Sequence, residues 1–334
     1  MKRKAVHYRA IGEDRYGVVE AGKLVEVHIE RWHDAHRPRA GETWTGRVGA
    51  IDGGMGAAFI DLGSGESGFL RFSAAPGLPK VAEGQLLDVL VKREGEPAKG
   101  PILGYVGKPT YSAPGVVEEV GTRAGLDARF PGIEWSEGDV PALSELVLTE
   151  LAIPGGGTVA IEPTRALVAV DVDKGAQVLG LKAGQAAALL VARQLRLRGL
   201  AGLICIDFPN LRQARARKQL EASVAQAFEF DPDKPKIAPL SRFGVVEMTR
   251  VRRRRSLDRL LADTPLETAS LEALDRLLRE GRAQAGARLT LSVTPDICAW
   301  LEATDLDWRG QLTERLGARW VLAQGERVSV SADR

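Results

Sequence analysis

The apolar pattern of the chain is clearest in two short runs, each closed by a carboxylate: ALVAVDVDKG at 166–175 and GLICIDFPN at 202–210. Runs of this length, rich in β-branched residues, predict buried strands. Between them lies AGQAAALLVARQLRLRGL, in which Ala186, Leu189, Leu190 and Leu197 recur at helical spacing and Gly199 is placed to stop the helix. A strand–helix–strand crossover makes the strands parallel, so Asp171 and Asp207 leave the sheet at one edge when the strands lie close together. Asp173 falls on the same face as Asp171 if the strand continues that far. Three carboxylates converging without a nearby histidine predict an oxygen cage for a hard divalent cation such as magnesium.

Upstream, short alternating segments separated by glycines (TWTGRVGAI, GAAFIDLG, SGFLRFS, QLLDVLVKRE) predict a small barrel of the OB type over 40–104. Alternation along 57–62 sets Ile60 and Leu62 on one face, Phe59 and Asp61 on the other. In 68–72 it buries Leu70 with Phe72 and leaves Phe69 beside Arg71. Exposed phenylalanines on a barrel face are stacking platforms for bases; the alternative is packing against a neighbouring domain. Downstream, the pattern predicts a helix over 267–280, a strand over 287–293, helices around Trp300 and Leu312, and strands over 318–323 and 327–331, a small α/β domain.

A length of 334 residues and 44% hydrophobic content allow two or three domains with real cores. The two cysteines, Cys205 and Cys298, rule out a disulfide framework and fit a reducing, cytoplasmic setting; Cys205 reads as a small core residue. No apolar run is long enough to span a bilayer. A net charge of +2 says little, but basic residues bunch at Arg215, Arg217 and Lys218 and again at Arg250 and Arg252 to Arg255. A charge run is commonly a solvated face. Four successive arginines nevertheless repel one another unless anions share their surface, and phosphates are the obvious candidates. His7, His28, His33 and His36 all precede residue 37, which argues against a histidine acid/base pair near the acids.

The blocks VAVDVDKG, VARQLRLRGLAGLICIDFPNL and LSRFGVVEMTRVRRRRSL together resemble the catalytic core of the ribonuclease E/G family, in that family's order, and GRVGAIDGGMGAAFIDLGSGESGFL resembles its OB-fold RNA-binding domain. The resemblance implies a mixed α+β (α/β) chain: an N-terminal OB-fold barrel, a central DNase I-like/RNase H-like catalytic sheet with flanking helices, and a small C-terminal α/β domain. The implied division is 1–38, strands of a reduced RNase H-like region; 39–104, barrel; 105–148, a shortened connector; 149–259, the catalytic metal-binding domain; 260–334, the C-terminal domain. Carried over residue by residue, it implies that Asp171 and Asp207 are catalytic and hold magnesium, with Asp173 where the family usually has asparagine. It further implies that Phe59 and Phe69 clamp bases, that Lys99 meets the RNA backbone, and that Arg250 belongs to a block lining the RNA channel, beside the basic residues Arg215, Arg252 and Arg253.

The activity so implied is cleavage of single-stranded RNA by metal-activated water, leaving a 5′-phosphate and a 3′-hydroxyl. Three departures qualify it. The stretch between barrel and catalytic block is short, so a pocket sensing the RNA 5′ end is not expected. The family's Cys-x-x-Cys zinc link is absent too, so no zinc is expected and any homodimer must use other contacts. Asp173 adds negative charge beside Asp171, which should sharpen metal dependence. The competing reading is an RNA-binding protein of the same fold with lost or vestigial catalysis. An aspartyl phosphatase is disfavoured, because Asp-x-Asp alone is common, and GGG at 155–157 precedes a strand and reads as a hairpin turn.

Overall fold

The structure, a computed structural model, describes residues 2–95, 99–176 and 180–333, without the side chains of residues 35 and 36. The chain opens with an antiparallel meander, β1 (Arg3–Arg9), β2 (Glu13–Glu20) and β3 (Lys23–Arg31). It then enters a five-stranded barrel: β4 (Thr43–Asp52), β5 (Ala57–Asp61), β6 (Ser67–Arg71), β7 (Leu86–Arg93) and β8 (Ile102–Gly107). β4 pairs with both β5 and β7, which closes the ring, while β6 and β8 run parallel. Trp44, Ile60, Leu62, Leu70, Leu87, Val89 and Leu103 fill the interior, following the period-two pattern of the sequence.

The stretch read as a connector carries β9 (Gly115–Glu118), α1 (Thr122–Arg129), β10 (Glu134–Glu137) and α2 (Leu143–Leu146). β9 pairs with β4 on the barrel, and β10 lies parallel to β1, making a four-stranded sheet of order β10-β1-β2-β3. The barrel is therefore an excursion from a domain whose strands come from both sides of it.

The third unit is a six-stranded sheet built from β11 (Glu150–Ala152), β12 (Thr158–Pro163), β13 (Val168–Asp173), β14 (Gly202–Asp207), β15 (Lys236–Ile237) and β16 (Val245–Arg250), in the order β11-β12-β13-β14-β16-β15. Only β13 and β14 are parallel, joined by α3 (Gly180–Arg198) as the crossover predicts; α4 (Ala214–Ala227) follows β14. The helices cover one face, where Val170, Val172, Ile204, Ile206, Val246 and Met248 meet Ala187, Ala188, Val191, Leu195, Leu220 and Val224.

The helix forms where the sequence places it and ends at Gly199, whose φ of +69° suits a left-handed stop. Its buried face, however, is Ala183, Ala187, Ala188, Val191, Ala192 and Leu195. Leu189 of the expected stripe is 63% exposed. Small residues allow the helix to sit close to the sheet, and the larger leucine is left on the outer flank.

The C-terminal residues form α5 (Leu257–Asp263), α6 (Pro265–Ala283), β17 (Arg288–Val293), α7 (Pro295–Ala303), α8 (Trp308–Leu316), β18 (Trp320–Gln324) and β19 (Ser329–Asp333), with sheet order β18-β17-β19. This matches the predicted succession closely. Buried polar contacts fasten the domain to the N-terminal sheet. Arg15, fully buried, donates to Glu13 at 2.6 Å and to Asp275 at 2.9 Å, and the Tyr8 hydroxyl donates to Asp275 at 2.6 Å. Arg31 reaches Glu267 at 2.8 Å and the hydroxyls of Thr264 and Thr268, each at 2.7 Å. No described helix is long and apolar enough to cross a membrane.

Candidate functional site

Asp171 and Asp207 are direct register partners on the parallel pair β13–β14, so their Cα atoms stand one strand spacing apart, about 5 Å. Alternation places both side chains on the face that α3 and α4 leave uncovered, and both are exposed. Across the same row lie Ala160 on β12 and Val245 on β16, neither of which crowds the acids. Among the described residues, neither carboxylate has a hydrogen-bond or ion-pair partner. Two acids side by side with nothing to neutralise them form an anionic patch suited to a cation.

Asp173 lies one pleat further along β13, opposite Thr158. No three His, Cys, Asp or Glu side chains among the described residues are grouped closely enough to hold a metal ion. The expected cage of three carboxylates is thus reduced to a pair: the i, i+2 step along a strand, close to 7 Å, carries Asp173 away from the row that joins Asp171 to Asp207. Behind this edge the GGG turn joins β11 to β12, with the Ile153 N–H donating to the Gly157 carbonyl at 2.9 Å. Gly157 has a φ of +99°, and a Cβ there would stand 2.2 Å from the Asp173 carbonyl oxygen, so only glycine lets the turn brace the end of β13.

Cys205 was expected in the core. It alternates with Ile204 and Ile206 and so faces the open side, half-buried, opposite Glu247. Burial, and then the negative charge of Glu247, push its thiol up, which disfavours the thiolate.

The aromatic pair of the barrel is placed as alternation predicts. Phe59 and Phe69 are register partners on β5 and β6, with ring centroids 5.7 Å apart and planes at 64°. Phe59 is 40% exposed and Phe69 is half-buried. Lys99 is exposed beside the start of β8, and Arg215 is exposed in the first turn of α4, eight residues beyond Asp207.

The arginine run divides. Arg252 and Arg253 are exposed, the latter also donating to Asp233 at 2.8 Å. Arg250 is buried: it donates to Asp231 at 2.9 Å and to the Leu200 carbonyl at 3.1 Å, and pairs with Asp233 at 2.8 Å. Its position at the inward-facing end of β16 sets it in the protein interior rather than on the exposed surface, where it ties β16 to the loop after α4.

One feature escaped the sequence reading. The loop before β16 brings Gly244 against the acid edge, its carbonyl accepting from the Phe208 N–H at 3.2 Å. The same loop carries Phe243, 73% exposed, with the Arg242 guanidinium 4.6 Å from its ring centre. The Arg-Phe-Gly step in LSRFGVV was the available signal, an aromatic displayed on a turn.

Comparison with known proteins falls on this unit. The Ribonuclease E/G family model matches residues 141–253. The chain is similar to Ribonuclease E of Nostoc sp., 35% identical over 130 residues, 37% of this chain and 19% of that protein. To Ribonuclease E of Escherichia coli it is 36% identical over 110 residues, 31% of this chain and 10% of that protein. To Ribonuclease G of Escherichia coli it is 29% identical over 178 residues, 47% of this chain and 36% of that protein. The matches thus span only a tenth to about a third of these relatives' lengths. The segment of the chain that matches the Ribonuclease E/G family, residues 141–253, contains both register-paired aspartates and the start of the arginine run.

Proposed function

We propose that the protein is a magnesium-dependent endoribonuclease that cuts single-stranded RNA, of the kind used in processing or decay of ribosomal or messenger RNA. The observation that carries this reading is the pair of unpartnered carboxylates, Asp171 and Asp207, in register on the open face of the sheet. Two hard oxygen donors without an ion-pair partner among the described residues fit magnesium, which keeps several waters and needs only one or two protein carboxylates when a substrate phosphate completes its shell. Bound there, the ion would supply charge stabilisation at the scissile phosphate and a water of lowered pKa, consistent with 5′-phosphate and 3′-hydroxyl ends.

The chain's own residues do the positioning. Phe59 and Phe69 stack on bases, and Phe243 offers a further platform beside the acid edge. Lys99, Arg215, Arg252 and Arg253 are exposed cations for phosphates, and Arg250 supports them from within. The family relatives named Ribonuclease E and Ribonuclease G support the reaction class. The shortened region before residue 149 supports little preference between 5′-monophosphorylated and 5′-triphosphorylated RNA.

A second reading, an RNA-binding protein of the same fold without catalysis, draws on the reduction of the acid cage to a pair. A labelled AU-rich single-stranded RNA, incubated with magnesium or with EDTA, separates the two. Cutting that needs magnesium and disappears in Asp207→Asn while binding persists is the expected result. Binding without cutting in every lane would establish the second reading, and products ending in 2′,3′-cyclic phosphate would exclude the water-attack mechanism.

A further inference from the structure

The arginines of the run that turn inward do not all find carboxylates. Arg254 and Arg255 line a cavity of about 80 Å³ where the N-terminal sheet, the barrel and the catalytic unit meet, together with His28, Glu30, Asp34, Arg37, Arg39 and Glu94. Five rungs of the β14–β16 ladder, about 17 Å, separate the Asp207 end of that pair from the end leading to this cavity. The place is therefore distinct from the acid pair.

Most of the acids there are already committed. Glu30 accepts from Arg39 at 2.6 Å, from the Thr122 N–H at 3.1 Å and from the Thr122 hydroxyl at 2.5 Å. Asp34 accepts from the Arg31 N–H, and Glu94 from the Arg255 N–H, both at 3.1 Å. The guanidiniums are less well served. Arg37 donates to the Gly95 carbonyl at 3.0 Å, but its Nε is buried without a hydrogen-bond partner, the Glu66 carboxylate standing 3.7 Å away. Arg254 reaches only the carbonyls of Arg196 and Leu197, each at 3.5 Å. The Arg255 guanidinium makes no hydrogen bond or close ion pair among the described residues.

Of the four guanidiniums lining the cavity, Arg39 is paired with Glu30 and Arg37 stands near Glu66, while Arg254 and Arg255 have no close ion pair among the described residues; the imidazole adds no charge, since burial and then the nearby Arg254 push His28 down to about 4. Burial also pushes Arg254 down to about 10, and burial together with the neighbouring Arg37 lowers Arg255. Cations brought together out of water in this way call for an anion.

We propose that this cavity is a binding site for a tetrahedral oxyanion of the phosphate class, held by Arg37, Arg254 and Arg255. The space suits a few waters or one such ion in their place. Arginine forks match phosphate oxygens bidentately, and three converging from β3's following segment and from the stretch after β16 clamp the junction when the ion is present. The ion then acts as a staple among three units of the chain.

The test uses the whole protein in phosphate-free buffer containing EDTA, which keeps cations off the acid pair and so separates this result from the nuclease assay. Thermal melting and calorimetry are followed on titration with sodium phosphate, against sodium chloride at matched ionic strength. A saturable rise in Tm with phosphate only is expected, with affinity reduced at least tenfold in both Arg255→Gln and Arg37→Gln and unchanged in Arg165→Gln, a distant exposed control. Broadening of the phosphate ³¹P resonance by the wild-type protein reads the same site if one variant fails to fold. Adenosine monophosphate as competitor distinguishes sources: competition equal to that of free phosphate opens the site to monoesters, whereas none confines it to the free ion, and the oxyanion site stands in either case. Identical responses to phosphate and chloride, or wild-type phosphate affinity in both variants, would overturn it.

Discussion

The two ends of the β14–β16 ladder treat charge in opposite ways. At one end Asp207 is exposed and directly opposite Asp171, neither with an ion-pair partner among the described residues. At the other Arg250 is buried and tied to Asp231 and Asp233. A charge with its partner inside the fold serves stability. Two like charges left side by side gain nothing for the fold and are tolerated where a ligand neutralises them. The contrast separates the internally paired charges of the strand pair from those left to face solvent, although in the sequence both read as simple strand termini.

The largest effect that would sharpen this comparison is on catalysis. Asp207→Asn should lower magnesium-dependent cutting by about 10³-fold, since several kcal/mol of charge stabilisation disappears, while thermal stability stays within roughly 0.5 kcal/mol. Asp231→Ala should do the reverse. Leaving Arg250 buried without one of its partners costs roughly 3–5 kcal/mol in unfolding free energy, measurable by urea titration. Should Asp207→Asn prove as destabilising as Asp231→Ala, the distinction between the two ends fails.

Smaller effects belong to the surfaces around the acids. Phe59→Ala should weaken binding of single-stranded RNA by about 1–3 kcal/mol, with Phe243→Ala at the low end of that range, read by anisotropy in EDTA. Gly157→Ala should cost more than about 1 kcal/mol of stability, because its Cβ would strike the Asp173 carbonyl. Its effect on cutting should exceed that of a surface change, since the displaced strand end carries the acids.

The smallest effect concerns pH. The hydrogen bond that His33 donates to Glu267 raises His33 above its ordinary value of 6.5, against the opposing effect of burial. Glu267 itself is lowered: burial opposes this, but the His33 hydrogen bond and the Arg31 charge outweigh it. The raised imidazole contributes stability that is fully present below its unfolded pKa and is lost as pH rises through its folded value. The lowered carboxylate contributes above its unfolded pKa and loses its share as pH falls through the folded one. The contact between N-terminal sheet and α6 should therefore be tightest in mildly acidic to neutral solution and loosen above it. His33 is 42% exposed, so solvent screening holds the change below about 1 kcal/mol. His33→Gln should flatten that slope in a melting series.

The acid pair was legible because β13 and β14 are short, apolar up to a closing carboxylate and joined by one helix, a pattern that fixes both direction and edge. The barrel was legible for a similar reason, its alternation assigning Phe59 and Phe69 to the outer face. What escaped depends on partners distant in sequence. Glu134–Glu137 is a strand only because β1 offers it an edge; the segment EWSE has no apolar alternation of its own. The inward turn of Arg250, Arg254 and Arg255 was equally hidden, since a run of arginines reads the same whether its counter-charges lie in solvent, in RNA or across a domain boundary. The buried contacts of Arg15 and Arg31 join residues more than two hundred positions apart, which no local pattern announces.

The barrel leaves and rejoins the rest of the chain through neighbouring strands, Thr43 on β4 standing opposite Glu118 on β9. Its outgoing and returning segments are therefore a single rung apart, on the order of 5 Å, like the two wires of one plug. A module attached in this way can be exchanged for another of different width without moving the socket, and deleting 43–118 behind a two- or three-residue bridge should leave the remaining sheets intact. Within one chain, the barrel with its aromatic pair and the sheet with its acid pair are separately replaceable.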